Sequence, residues 1–197
     1  MCATLHCSPM ESDATPVQLS VFRVDGRARG QLATPVDGRY GAMNPAELRP
    51  AIAWLAQQVD LSGVQYALGI PEGGYLPAYA FAVESGLRVV LASIFKPAGA
   101  GIVSFNEIHE HPALATKHVY GLVAGNHVIV VEDEVTTGRT LINCVRALRA
   151  AGIRCDQAAT IYAASDPAMR ARVAAEGIRL HAAWLCDADT NERLYRR

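Results

Sequence analysis

The stretch that most constrains the fold is Val128-Ile-Val-Val-Glu-Asp-Glu-Val-Thr-Thr-Gly-Arg-Thr140: an apolar β-branched run, then acids, a hydroxyl- and glycine-bearing turn, and the start of a helix. Val128 to Val131 is too short for a buried helix and too uniformly apolar for a strand with one wet face. It therefore predicts a strand covered on both faces, as in a parallel sheet. Glu132 and Asp133 then stand at the strand's C-terminal end, the edge at which open α/β sheets bind ligands. A helix that begins there offers unpaired N–H groups and the positive end of its dipole to an anion. Thr136, Thr137 and Thr140 add hydroxyl donors, and Gly138 permits a backbone path that a side chain would obstruct. The expected site is a phosphate cup beside two carboxylates.

The flanking pattern supports an α/β domain with a mostly parallel sheet. A strand at Tyr66 to Ile70, a loop at Pro71 to Gly74, a helix at Tyr75 to Ser85 stopped by Gly86 and a strand at Arg88 to Ile94 form a βαβ unit. Beyond the opening stretch, a helix over Thr140 to Ala151 stops at Gly152 and a strand follows at Ala158 to Ala163. Asp166-Pro167 caps a helix ending before Gly177, and Ile178 to Leu185 is the last strand. Upstream, residues 1–16 are expected to be disordered or loosely packed, and residues 17–197 to form a single domain in which 17–44 is a candidate hood. Val17 to Val24 suggests a strand before an Asp25-Gly26 turn. Asn44-Pro45-Ala46-Glu47 opens a helix, although Pro50 is an equally good start, and Ile52, Leu55, Ala56 and Val59 share a helical face. Lys96 to Lys117 interrupts the rhythm, with one strand-like island at Ile102 to Phe105; so long a segment in a compact domain is expected to be functional or mobile.

Composition narrows the function. The 197 residues are 51% hydrophobic, enough for one well-buried domain with an annex. Lysine plus arginine number 18 against 19 acids, a net charge of −1, which gives no electrostatic case for nucleic acid or an acidic membrane surface. Cys2, Cys7, Cys144, Cys155 and Cys186 form no C-x-x-C pair and predict reduced thiols. Met1 to Thr15 lacks the basic and apolar regions of a signal peptide, and no segment reaches the roughly 18 apolar residues of a membrane span. A soluble cytoplasmic protein is expected.

The loop Pro71-Glu72-Gly73-Gly74-Tyr75 can also present consecutive backbone N–H groups to an anion, and it should open onto the same sheet edge. Two phosphate loops flanking an acid pair imply a ligand with separated phosphates and a polyhydroxylated group between them. The opening stretch resembles the phosphoribosyl pyrophosphate (PRPP) signature of type I phosphoribosyltransferases, and element order is similar from about residue 45 to 185. The resemblance implies the type I fold with a small hood and a flexible loop, a Mg²⁺-dependent pentosyltransferase of nucleotide metabolism, and a homodimer whose substrates are PRPP and a nucleobase. Glu132 and Asp133 would contact the ribose hydroxyls and hold Mg²⁺, directly or through water or those hydroxyls. Thr136, Thr137, Gly138, Arg139 and Thr140 would hold the 5-phosphate. Glu72, Gly73, Gly74 and Tyr75 would hold pyrophosphate. Lys96, as a catalytic residue, and Lys117, at the pyrophosphate, would come from a mobile cover over residues 96–117 that excludes water from a ribosyl cation.

The base is less legible. Type I enzymes for 6-oxopurines usually carry aspartate where this chain has Thr136, which favours an orotate- or adenine-type acceptor over hypoxanthine or guanine. The layout after the signature resembles orotate phosphoribosyltransferases, without their lysine-rich loop motif. A PRPP-binding regulatory protein without turnover is the alternative, and a hydrolase of a phosphoribosyl compound is a third reading. His109, His111 and His118 form a weak candidate metal group. Tyr75, Tyr79 and Phe81 are expected to pack a helix, and Trp54 and Trp184 to fill core, with Trp184 near enough to a strand end to approach a base.

Overall fold

The computed structural model describes residues 3–10, 17–23, 30–33, 36, 38, 42–107 and 115–186. In chain order the elements are β1 (Ala3–Pro9), β2 (Val17–Arg23), β3 (Gly30–Ala33), α1 (Pro45–Gln58), β4 (Tyr66–Gly69), α2 (Tyr75–Ser85), β5 (Arg88–Leu91), β6 (Val103–Asn106), β7 (Thr116–Val119), β8 (Val128–Val135), α3 (Arg139–Ala150), β9 (Gln157–Ala164), α4 (Pro167–Ala175) and β10 (Arg179–Cys186). One sheet has the order β3-β2-β1-β10-β9-β8-β4-β5, and β6 and β7 form a separate hairpin. From β10 to β5 every pairing is parallel, while β1, β2 and β3 join antiparallel.

Strand β8 shows why the fold is layered. Val128, Ile129, Val130 and Val131 are all fully buried. Ile129 and Val131 face a core built with Leu55 of α1 and Phe81 of α2, whereas Val128 and Val130 face a core built with Val145 and Leu148 of α3 and Val173 of α4. Alternation along the pleat thus supplies both cores from one apolar run. The chain winds outward from β4 to β5 through α2, and in the other direction from β8 through α3, β9 and α4 to β10. The adjacent strands β4 and β8 therefore flank the point where the winding reverses, the place where ligands bind in such sheets.

Local signals account for the helix ends. The Asn44 side chain accepts from the Ala46 N–H at 3.1 Å with Pro45 in the first turn, so α1 begins there and Pro50 is carried inside it. Helix α2 ends at Gly86 in the left-handed conformation, with φ +67°. Asp166 caps α4 through the Ala168 N–H at 2.8 Å.

Four expectations need correction. Strand β8 does not stop before the acids but runs on to Val135, because Glu132 and Glu134 pair with Thr160 and Tyr162 of β9. Residues 1–16 are not all loosely attached: Ala3–Pro9 lies between β2 and β10, where its backbone completes the pairing of β10 and the Met10 N–H donates to the Ala183 carbonyl. The Lys96 to Lys117 segment holds more than its expected strand-like island, which forms β6: β7 pairs with it. The hairpin β6–β7 buries Val103, Phe105 and Val119, a Ser93–His118 bridge ties it to the end of β5, and Asn143 of α3 donates to the Asn106 carbonyl at 2.9 Å. Finally, Cys186 is disulfide-bonded, not reduced; the residue opposite it in register is Cys7. The expected Asp25-Gly26 turn lies outside the described residues. No described helix is long and apolar enough to cross a membrane.

Candidate active site

The loop after β4 meets the acid pair of β8 at the point of reversal. Packing there is so tight that the glycines are the means of approach: a Cβ on Gly73 would fall on the Asp133 carboxylate. One on Gly74 would lie 2.7 Å from both Glu132 Oε2 and the Ile70 carbonyl. At the end of β4, a Cβ on Gly69 would meet Ala78 at 2.8 Å and the Gly74 carbonyl at 2.9 Å. These distances are below what carbon and oxygen tolerate, so residues with side chains would push the 71–74 loop off the acids. The Pro71–Glu72 peptide is cis. The amides of Gly74 and Tyr75 close the turn onto the carbonyls of Ile70 and Glu72, at 3.1 and 3.3 Å. Among the described residues the Glu72 and Gly73 amides make no hydrogen bond to a backbone carbonyl.

Asp133 is buried, 4% exposed. Burial first, then the charges of Asp133, Glu107 and Glu134, hold the Glu132 carboxyl well above the usual carboxylate range. Glu107 follows β6, so the hairpin brings a further acid to the signature pair. Lys117, 1% exposed on β7, lies 3.2 Å from Glu107 Oε2. The result is an acid-rich pocket floor with one buried ammonium at its hairpin side.

The loop following β8 has only three residues, Thr136 to Gly138, before α3 begins at Arg139. Gly138 is the cap residue at φ +72° and has no side chain to cap the helix, although the Arg139 N–H donates to Thr137 Oγ1 at 3.4 Å; such a helix start suits an anion. Thr136, Thr137 and Thr140 are part-exposed around this turn. The loop is propped from behind by α4. A Cβ on Gly138 would lie 2.7 Å from Val173 Cγ2, and Arg172 Nη1 donates to the Thr137 carbonyl at 2.8 Å.

The structure thus brings Gly73 and Gly74 onto Asp133 and Glu132, with Glu72 next in the loop and the Thr136–Thr140 turn following the acids at the end of β8. It does not present every candidate. The Tyr75 hydroxyl donates to the Ala92 carbonyl, so that side chain is committed to packing. Lys117 is engaged with Glu107 and is not an open-loop cation. Lys96 is exposed after β5, close enough for its charge, after burial, to lower the His118 pKa. Arg139 is exposed and lines a surface cleft with Arg146, Arg172 and Glu176. His118 bonds Ser104 through Nδ1 at 2.9 Å, while His109 and His111 lie outside the described residues, among which no group of three metal ligands is found. Phe81 is buried as expected, but Tyr79 is 59% exposed. Trp184 stacks on Tyr162 with ring centroids 5.5 Å apart. Two site residues escaped the sequence reading, Glu107 and Arg172, because each arrives from an element remote in sequence and carries no local motif.

Comparison with known proteins points the same way. A family model described as phosphoribosyl transferase domain matches residues 44–180. A hypoxanthine/guanine phosphoribosyltransferase of Methanobrevibacter ruminantium is 31% identical over 114 residues, and the match spans 57% of this chain and 59% of that relative's length. The crystal structure of adenine phosphoribosyltransferase from Rhodothermus marinus superposes with a TM-score of 0.66 at 20% identity, covering 85% of this chain and 93% of that one. That of the Giardia lamblia enzyme complexed with 9-deazaadenine gives 0.61 at 19% identity, covering 72% and 80%. Orotate phosphoribosyltransferase from Aeropyrum pernix gives 0.50 at 17% identity, covering 75% and 73%. At these identities the structural likeness is one of fold.

Proposed function

We propose, from the premise that this chain belongs to the phosphoribosyl transferase domain family, that it joins a nucleobase to the ribose 5-phosphate of PRPP and releases pyrophosphate. The observation that carries this reading is the approach of Gly73 and Gly74 to Asp133 and Glu132, which sets an anion-binding turn against an acid pair at the sheet's point of reversal. In this reading the Glu72 and Gly73 amides face pyrophosphate. The start of α3, with Thr136, Thr137 and Thr140, takes the 5-phosphate. Asp133 and Glu132 hold the ribose hydroxyls and stabilise positive charge as the bond to pyrophosphate breaks. Lys96, exposed after β5, would serve the departing pyrophosphate, and residues 17–44 would serve as the hood.

Magnesium fits the donor set. Hard carboxylate oxygens suit it, and it is commonly held by one or two carboxylates together with substrate phosphates. Glu132 and Asp133 would be those carboxylates, and a divalent cation would offset the repulsion from Asp133 that, after burial, raises Glu132. When bound it would neutralise charge on the leaving pyrophosphate.

For the acceptor two indications pull apart. The Methanobrevibacter relative is named for hypoxanthine and guanine, whereas Thr136 stands where such enzymes usually carry aspartate. We keep the orotate- or adenine-type acceptor as the reading to test. Pyrophosphate release from PRPP and Mg²⁺ with adenine, hypoxanthine, guanine and orotate in turn decides it: one base should support turnover. Release with hypoxanthine or guanine alone would overturn the acceptor assignment, and PRPP binding without release for any base would favour the regulatory alternative.

A homodimer is part of the same proposal. Leu76, Tyr79 and Val83 recur at helical spacing on the exposed side of α2, and Val89 and Leu91 continue an exposed apolar surface onto the edge strand β5. Substitution of Tyr79 and Val83 by arginine should leave a monomer in light scattering.

A further inference from the structure

The phosphate turn is held from behind by one face of α4. Met169 and Val173, 0% and 1% exposed, lie beneath Gly138, and Arg172 reaches over them to the Thr137 carbonyl at 2.8 Å. The peptide that Arg172 grips is the one joining Thr137 to Gly138. In a trans peptide the C=O and N–H point in opposite directions, so fixing the oxygen toward α4 turns the Gly138 N–H away from it, to the ligand side of the turn. Among the described residues that amide makes no hydrogen bond to a backbone carbonyl. A cation on the oxygen also polarises the amide and makes its N–H a stronger donor.

We infer that Arg172 is a positioning residue for the 5-phosphate: it orients and polarises the Thr137–Gly138 peptide so that the Gly138 N–H is preset toward the anion. This rests on the reading of Thr136–Thr140 as the 5-phosphate turn. Arg172 is exposed and its stem lies along the α3–α4 cleft, so the core does not depend on it. The effect is confined to one of the two loops, since the 71–74 turn contacts α2 and β8 rather than α4.

The test is equilibrium binding of ribose 5-phosphate and, separately, of Mg²⁺-pyrophosphate to the whole protein and to Arg172→Met and Arg172→Lys. Arg172→Met should weaken ribose 5-phosphate by about tenfold, the scale of one hydrogen bond to a charged partner, and leave pyrophosphate unchanged. Arg172→Lys, which keeps a cationic donor, should recover most of the loss. Equal weakening of both ligands, or none, overturns the positioning role while leaving the phosphate turn in place. Wild-type protein that binds pyrophosphate but not ribose 5-phosphate contradicts the assignment of the turn itself, and the inference with it.

Discussion

The backbone of Gly73 and the carboxylate of Asp133 share so little space that one methyl group on Gly73 would coincide with the carboxylate. Gly73 lies in the loop after β4 and Asp133 within the adjacent parallel strand β8, and their approach sets the 71–74 turn against the acid pair. Gly73→Ala should therefore cost about 2 to 3 kcal/mol, in the range of overpacking a buried site, and weaken Mg²⁺-PRPP binding. Because the clash is with Asp133 itself, Asp133→Gly should recover the stability, and chemical denaturation of the four-protein cycle should show non-additivity above about 0.5 kcal/mol.

Gly138 makes the equivalent demand on the other loop. Its φ of +72° is unfavourable for an L side chain, and Val173 Cγ2 stands 2.7 Å from the place a Cβ would take. Gly138→Ala combines backbone strain with a clash, about 2 to 4 kcal/mol together. Adding Val173→Ala should remove the steric part only. Ribose 5-phosphate binding should fall in the single variant before pyrophosphate binding does.

Glu132 links the site to pH. Its folded carboxyl is raised by burial and by Asp133, Glu107 and Glu134, so the native state binds the proton more tightly than the unfolded chain. The stability of the free protein attributable to this group is therefore full below the ordinary glutamate value of about 4.3 and declines as pH rises from there to the raised folded value. A Glu132→Gln protein should lack that decline. Since a bound Mg²⁺-PRPP favours the carboxylate, binding should release a proton within that window, seen as a dependence of calorimetric heat on buffer ionisation enthalpy that Glu132→Gln abolishes.

The thiols of Cys144 and Cys155 should be inert in the native protein. Burial is the main cause in both: it pushes Cys144 well above the ordinary thiol range and Cys155 up to about 12. At pH 8, thiol reagents should modify these two cysteines only on unfolding, as mass spectrometry of the native and denatured protein can show.

Legibility in the sequence followed the range of the interactions. The run Val128–Val131, the stops at Gly86 and Gly152 and the cap at Asp166 are short-range signals; the strand and the helices they predict form, the helices with ends shifted by a residue or so. The acid pair, by contrast, was taken to end its strand, yet β8 continues to Val135 because β9 offers pairing partners that only the fold brings alongside. The same holds for Ala3–Pro9, whose place depends on β10 needing a neighbour. Glu107 and Arg172 reach the site across 25 and 35 residues of chain from the Glu132 and Thr137 they act on, and no local spacing encodes that. The polar groups of Tyr75 and Lys117 are used inside the protein, by the Ala92 carbonyl and Glu107, pairings that no local spacing encodes either.

The most direct test is the rate of base-dependent pyrophosphate release from Mg²⁺-PRPP by the wild type and by Asp133→Asn, which preserves shape while removing the charge. The proposed mechanism predicts turnover with one base in the wild type and a fall on the order of 100-fold or more in the variant, with ribose 5-phosphate still bound. A variant within twofold of the wild-type rate would contradict the role given to the acid pair.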